Sequence, residues 1–274
     1  YPPGGASDVT ARVLGQKMGD AWGQQVVIDN RAGANGIVAL EYVAKAPADG
    51  YTILMANLGP NAINPGVYAK LPYDAVKSFA PITLTTIVPQ VIVANRYLPA
   101  NNIKELVALG KAKPGELSYG NGGNGSANHL AMELFGSMAG IKMVAVAYKG
   151  DAPALIDAVA GQVMLALPTV IAAQPFLNSG KLKAIAVSGE RRFPVLPGAP
   201  TLGESGLGGV DDRIWFGLFA PAGTPKAVVA SIYGELVRIF GNDSFREQRL
   251  VSQGWEPALM PAEEFGRFLA VDRK

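Results

Sequence analysis

Ser126 and His129 are residues whose types and spacing could do chemistry. Three positions apart where an apolar helical pattern begins, they share one helix face, as a nucleophile and its base must. The stretch around them, Tyr119 to Leu130, reads Y-G-N-G-G-N-G-S-A-N-H-L. Within it Gly120, Gly122 and Gly125 spell the G-x-G-x-x-G of a dinucleotide loop, after a strand pattern and before a helix pattern. A third chemistry needs neither catalytic pair nor nucleotide. Glycines leave backbone N–H groups uncovered, and a glycine loop feeding a helix N-terminus aims those groups and the positive end of the helix dipole at one spot, where an anion can sit. The chain opens on a near copy, Y-P-P-G-G-A-S-D at Tyr1 to Asp8, with the same Tyr-x-x-Gly-Gly spacing.

Each reading has a plainer competitor. A base needs an orienting acid, and no G-x-S-x-G elbow surrounds Ser126, so Ser126 also reads as a helix cap with His129 bonding nearby backbone. The strand after the glycine loop, Met143–Ala147, ends on alanine and runs on into Tyr148-Lys149-Gly150-Asp151, so no acid sits on the strand tip itself for a ribose. Asp8 would repel an anion and reads as a brace for its own loop. Arg31 and the pair Arg191-Arg192 read as solvated. Met132, Phe135 and Met138 read as core-facing.

The elements that must position these loops alternate. Apolar periodicity predicts a helix from Val9 to Trp22, a strand at Gln25–Ile28, a helix at Ile37–Ala46 and a buried strand from Tyr51 to Ala56 ending at Asn57. A long β-rich run from Ile82 to Ala94 is interrupted by Pro89. Then follow a helix at Ile103–Ala112 and a strand at Leu117–Tyr119 feeding the glycine loop. After the helix of that loop come strand Met143–Ala147, helix Ala152–Ala160 and strands Val163–Leu167 and Leu182–Val187. An apolar strand at Ile214–Ala220 precedes helices after Pro225, Asp243 and Pro261. Such alternation predicts an α/β chain with a mostly parallel sheet in each of two similar halves.

The 274 residues suit two domains. Hydrophobic residues make up 49% of the chain, enough for two cores. The net charge of +2 comes from interspersed acids and bases, so no nucleic-acid partner is expected. No apolar run reaches the roughly 18 residues of a membrane span. With no cysteine and one histidine, thiol chemistry, cysteine zinc sites and multi-histidine metal sites are excluded, and no cofactor is expected.

In combination, Y-P-P-G-G-A-S-D-V, N-R-A-G-A-N-G, Y-G-N-G-G-N-G-S-A-N-H-L, A-Y-K-G-D-A-P-A-L, G-A-P-T-L-G-E-S-G and F-A-P-A-G-T-P resemble the solute receptors of tripartite tricarboxylate transporters, the Bug-type periplasmic binding proteins. The match runs in order along essentially the whole chain. It implies a two-lobed type II periplasmic-binding-protein fold with two crossing strands as hinge. The resulting lobes are residues 1–95 with 216–274, and residues 96–215. It implies a monomeric periplasmic receptor, not an enzyme, that captures a small organic carboxylate between its lobes and hands it to the permease subunits of a membrane transporter. A dicarboxylate or a carboxylated aromatic would suit. Carried over position by position, the ligand contacts fall on Gly5, Ala6, Ser7 and Asp8, on Asn57 and Asn61, on Asn121, Gly123, Ser126, Asn128 and His129, and on Tyr148 and Gly150. Thr169 lies on a further pocket wall, after Pro168, where many relatives carry Asp or Asn. Relatives also place an apolar strand before the first glycine loop, so the chain reads as trimmed at its front. Three alternatives stay open: a dinucleotide enzyme or a Ser/His enzyme using the Gly120–Gly125 loop, or a carboxylate sensor with the same fold.

Overall fold

Both glycine loops launch helices, at different offsets. The computed structural model describes residues 1–208 and 213–273; positions 209–212 of the expected second lobe, and position 274, lie outside the described residues. Helix α1 (Ala6–Trp22) starts directly after Gly5, six residues into the chain. The helix of the central loop starts only at Ala127, after Ser126.

In chain order α1 is followed by α2 (Ile37–Ala44), β1 (Leu54–Asn57), α3 (Asn64–Val67), β2 (Phe79–Pro89), β3 (Val91–Asn95), α4 (Ile103–Ala112), β4 (Leu117–Asn121) and α5 (Ala127–Ala139). Then come β5 (Met143–Ala147), α6 (Asp151–Ala160), β6 (Leu165–Ala166), α7 (Val170–Asn178), β7 (Leu182–Val187), β8 (Arg213–Pro221), α8 (Lys226–Phe240), α9 (Asp243–Phe245), β9 (Glu256–Pro257) and α10 (Ala262–Asp272).

The chain forms two compact units, residues 1–87 with 215–274 and residues 88–214. The first division falls before the expected 95/96 because β3 hydrogen-bonds to β6 and β7 inside the second unit. Strands β2 and β8 carry the chain across the division.

The first unit holds a sheet of order β1-β8-β2-β9. Its core gathers Leu40, Leu54, Phe79, Leu84, Trp215, Phe219 and Phe265. The second unit holds a sheet of order β5-β4-β6-β3-β7. Alternate residues of a strand face opposite sides, and here both sides are buried: Ile92 and Ala94 join one cluster with Leu106, Met132 and Phe135, while Val91 and Val93 join another with Leu155, Val170 and Val187. This explains why β3 is a near-continuous apolar run.

Strand direction differs from the mostly parallel expectation. β4 runs parallel to β5 and β6, each return passing through a helix. The pairs β3–β6, β3–β7, β1–β8 and β2–β9 are antiparallel. A helical crossover returns a strand parallel; β3, entering from the other unit, has no such constraint.

Three smaller expectations change. Residues 25–28 form no ladder; Val26 and Ile28 instead pack on α1 at Gly15. Tyr51 is 94% exposed because Asp49 and Gly50 hold it in a turn, so β1 begins later, at Leu54. Met138 is exposed with Leu130 and Leu134 on the outer side of α5, and Ala131, Met132, Phe135 and Ala139 take the core. Between β6 and β7 the chain also forms helix α7, with Pro175 inside it. Among the described residues no helix is long and apolar enough to cross a membrane.

Candidate functional site

In the second unit β4, β5 and β6 all end beside helix starts, the place where ligands bind on open α/β sheets. Asn121 ends β4 and is fully buried; its Oδ1 accepts the Gly123 N–H at 2.9 Å, and its Nδ2 has no partner among the described residues. Ser126 caps α5 through its hydroxyl oxygen, which accepts the His129 N–H. The hydroxyl proton goes to Asn128 Oδ1 at 2.6 Å. Asn128 Oδ1 also accepts the Gly122 N–H at 3.1 Å, and its Nδ2 donates to Asp151 Oδ1 at 2.8 Å. A Cβ on Gly122 would lie 3.3 Å from Asp151 Oδ1, so a side chain there would press the carboxylate back by a few tenths of an ångström.

These bonds relocate the anion donors. The N–H groups of Gly123, Gly125 and Ser126, expected to face a ligand, are committed to Asn121, His129 and the Gly123 carbonyl. The N–H groups of Ala127 and Asn128, in the first turn of α5, make no hydrogen bond among the described residues. Helix starts leave such donors unmet, and a turn N-terminal of a helix tends to consume its own N–H groups in closing the turn.

His129 accepts the Gly125 N–H on Nδ1 at 3.1 Å. Its ring stacks on Tyr119 at 6.4 Å. Neither ring nitrogen takes the Ser126 proton, which Asn128 holds. The nucleophile–base pair is therefore not assembled.

Gly150 precedes α6 with φ 134° and ψ 179°, a conformation almost confined to glycine; it lets Asp151 open the helix. The Tyr148 hydroxyl donates to Asp157 at 2.7 Å; burial first, then Asp157, pushes it up to about 12. Thr169 caps no bond of its own helix α7: its buried hydroxyl is unpartnered, while its N–H donates to the Asp151 carboxylate. The second unit thus brings together Asn121, Gly123, Ser126, Asn128, His129, Gly150 and Thr169, with the Tyr148 hydroxyl turned to α6.

The first unit gathers a second set. The N–H groups of Gly5, Ala6 and Ser7 at the start of α1 make no hydrogen bond among the described residues. Ser7 Oγ accepts from Asn57 Nδ2 at 3.4 Å, and Asn57 Oδ1 accepts the Gly59 N–H. Asn61 Nδ2 donates to the Asn57 carbonyl, and buried Asn61 Oδ1 is unpartnered. Asp8 braces the loop, accepting from Gly4 N–H and Arg12 Nε, both at 3.0 Å. Burial alone would raise its carboxyl, but the hydrogen bonds of Arg12, Gly4 and Asn30 and the charge of Arg12 outweigh that and hold it below the usual range.

Sequence reasoning missed three supports. Tyr1 donates to Asn35, which donates to Asn64 at 2.7 Å, and the Tyr73 hydroxyl donates to the Pro60 carbonyl. Ala34 and Asn35 sit at positive φ of 45° and 47°, a strained setting for non-glycine residues that these bonds hold. Arg273 donates to the carbonyls of Asn61 and Ala75 at 2.9 and 2.6 Å. The third is Asp151. Asn and Tyr far apart in sequence carry no pairing signal; Asp151 was visible only as a residue next to a glycine. Two cations near the loops in sequence stand apart from this chemistry: Arg31 pairs with Asp29 and lies 3.5 Å over the Tyr42 ring, and Lys149 is exposed, whereas Arg12 is spent on Asp8.

The model of the tripartite tricarboxylate transporter family receptor matches residues 10–274. Protein BugT of Bordetella pertussis is 33% identical over 276 residues, 98% of this chain and 83% of its own. An R. palustris protein solved with adipate is 35% identical with a TM-score of 0.96, covering 100% of this chain and 91% of that one. MatC of Rhodopseudomonas palustris, solved with bound malate, is 29% identical with a TM-score of 0.91, covering 100% and 94%.

Proposed function

The chain belongs to the receptor family of tripartite tricarboxylate transporters, and on that premise we propose that it captures a small organic carboxylate outside the cytoplasm for a membrane permease of that type. The observation that carries the proposal is the donor set of the second unit. Asn121 Nδ2 and Thr169 Oγ1 are buried without partners, and the Ala127 and Asn128 N–H groups stand free at the start of a thirteen-residue helix. All are neutral donors, and unsatisfied buried donors favour an acceptor-rich ligand. The unmet N–H groups at the start of α1 supply a similar set in the first unit. Recognition then rests on helix N-termini and neutral groups, each helix end favouring an anion by about 0.3–2 kcal/mol, and needs no cationic side chain. Adipate and malate, bound by two structural neighbours, define the class to try first.

The test is a thermal-shift screen of carboxylates, nucleotides and neutral metabolites, followed by calorimetry. Stabilisation by carboxylates alone is expected. Stabilisation by nucleotides, or turnover of an ester panel that Ser126→Ala abolishes, would overturn the reading. Native mass spectrometry of the protein as purified would identify a retained ligand.

A further inference from the structure

Three helix N-termini meet at one side chain in the second unit. Asp151 opens α6. Its Oδ1 accepts from Asn128 in the first turn of α5 at 2.8 Å, and its carboxylate accepts the N–H of Thr169, the residue before α7. Helix N-termini attract anions, and here the chain supplies one itself. The carboxylate end is enclosed although the residue keeps some exposed surface. The groups acting on it are the Asn128 amide and the Thr169 N–H; no charged group does. Of the elements packed on α6, strands β3 and β6 and helix α7 carry no titratable side chain. On β4, Tyr119 bonds Glu133 of α5; on α5, His129 bonds Gly125; on α6, Asp157 bonds Tyr148; and Lys149 is exposed. Two buried donors beside this junction, Asn121 Nδ2 and Thr169 Oγ1, are unpartnered.

Resting on the carboxylate-receptor reading, we infer that Asp151 is a resident anion that couples ligand capture to proton uptake. A ligand carboxylate held by Asn121 Nδ2 and the Thr169 hydroxyl lies beside a buried like charge. The repulsion is relieved when Asp151 takes a proton from solvent. Burial, opposed by the Asn128 and Thr169 hydrogen bonds, pushes the Asp151 carboxyl up to about 6, so it is charged at neutral pH but within reach of protonation. A neighbouring anion raises it further. Capture therefore strengthens as pH falls toward 6, and each unit by which the ligand raises Asp151 corresponds to about tenfold in affinity.

Calorimetry of malate and of adipate at about pH 6 and about pH 8, in two buffers of different ionisation enthalpy, tests this, because both ligands stay largely ionised there. Wild type should take up a fraction of a proton per ligand and bind severalfold more weakly at the higher pH. Asp151→Asn should bind without proton uptake and without that loss. Binding by wild type with pH-independent affinity, or the same uptake in the variant, overturns the inference and leaves the receptor reading standing. Binding of neither ligand by wild type at either pH overturns the inference. Failure of the wider carboxylate screen as well sinks the receptor reading. The ligand-free proteins give an independent readout. The native carboxyl lies above its unfolded value of 3.8, so wild type loses stability as pH rises through that interval and the variant does not. Asp151→Asn should gain stability relative to wild type between about pH 4 and about pH 7; a constant difference overturns the inference.

Discussion

The Ser126 hydroxyl donates to Asn128 Oδ1 at 2.6 Å, and it is this bond, not one to His129, that orders the central glycine loop. Asn128 gathers the loop N–H of Gly122, the Ser126 hydroxyl and Asp151. Ser126→Ala removes the cap of α5 and should destabilise the protein by about 0.5–2 kcal/mol. Denaturant titration checks this. Asn128→Ala should be the more damaging change for carboxylate affinity, because it frees Gly122 and strips Asp151 of its amide partner. Equal affinities for the two variants would show that Asn128 does not organise the donors.

Affinity for a carboxylate should survive loss of Arg31 or of Lys149. Arg31 is held by Asp29 and the Tyr42 ring, and Lys149 is exposed. Arg31→Ala and Lys149→Ala should each change affinity by less than about tenfold, or 1.4 kcal/mol. The salt dependence of binding should be weak, since buried pairs are little screened. A larger loss in a folded variant would assign recognition to a cation.

Asp8 predicts an acid-sensitive first loop. Its carboxyl is held below the usual range, so its contribution is present above the unfolded value and lost as pH falls through the lower folded value. Asp8→Asn should be less stable than wild type at neutral pH, and the two should converge in strong acid. Parallel stability curves down to the lowest pH would contradict this.

Arg273 should matter out of proportion to its place near the chain end. Its guanidinium is half-buried and donates to the Asn61 and Ala75 carbonyls. Burial lowers it, against the charges of Asp74 and Asp272, yet an arginine stays charged at any working pH. Hydrogen bonds to a charged group contribute about 1.5–3 kcal/mol. Arg273→Ala should lose stability on that order and weaken carboxylate affinity if Asn61 meets the ligand. Unchanged melting temperature would remove this support.

The sequence by itself determined the alternation of elements, the α/β class, the family and the two loops at which helices begin. Those depend on local signals: apolar spacing in Ile103–Ala112, the turn residues around Gly122 and the serine before Ala127. It also brought the residues of the second unit's site onto one short list, because five of them lie within Asn121–His129. Tertiary structure alone decided which N–H groups remain free, since Gly123, Gly125 and Ser126 spend theirs on partners that only folding brings near. It decided strand direction, because β3 pairs with strands distant in sequence. And it decided that Asp151, Asn128 and Thr169 meet: three helices that start about 20 residues apart converge only because β4, β5 and β6 lie in one sheet, and periodicity along a chain carries no information about that distance.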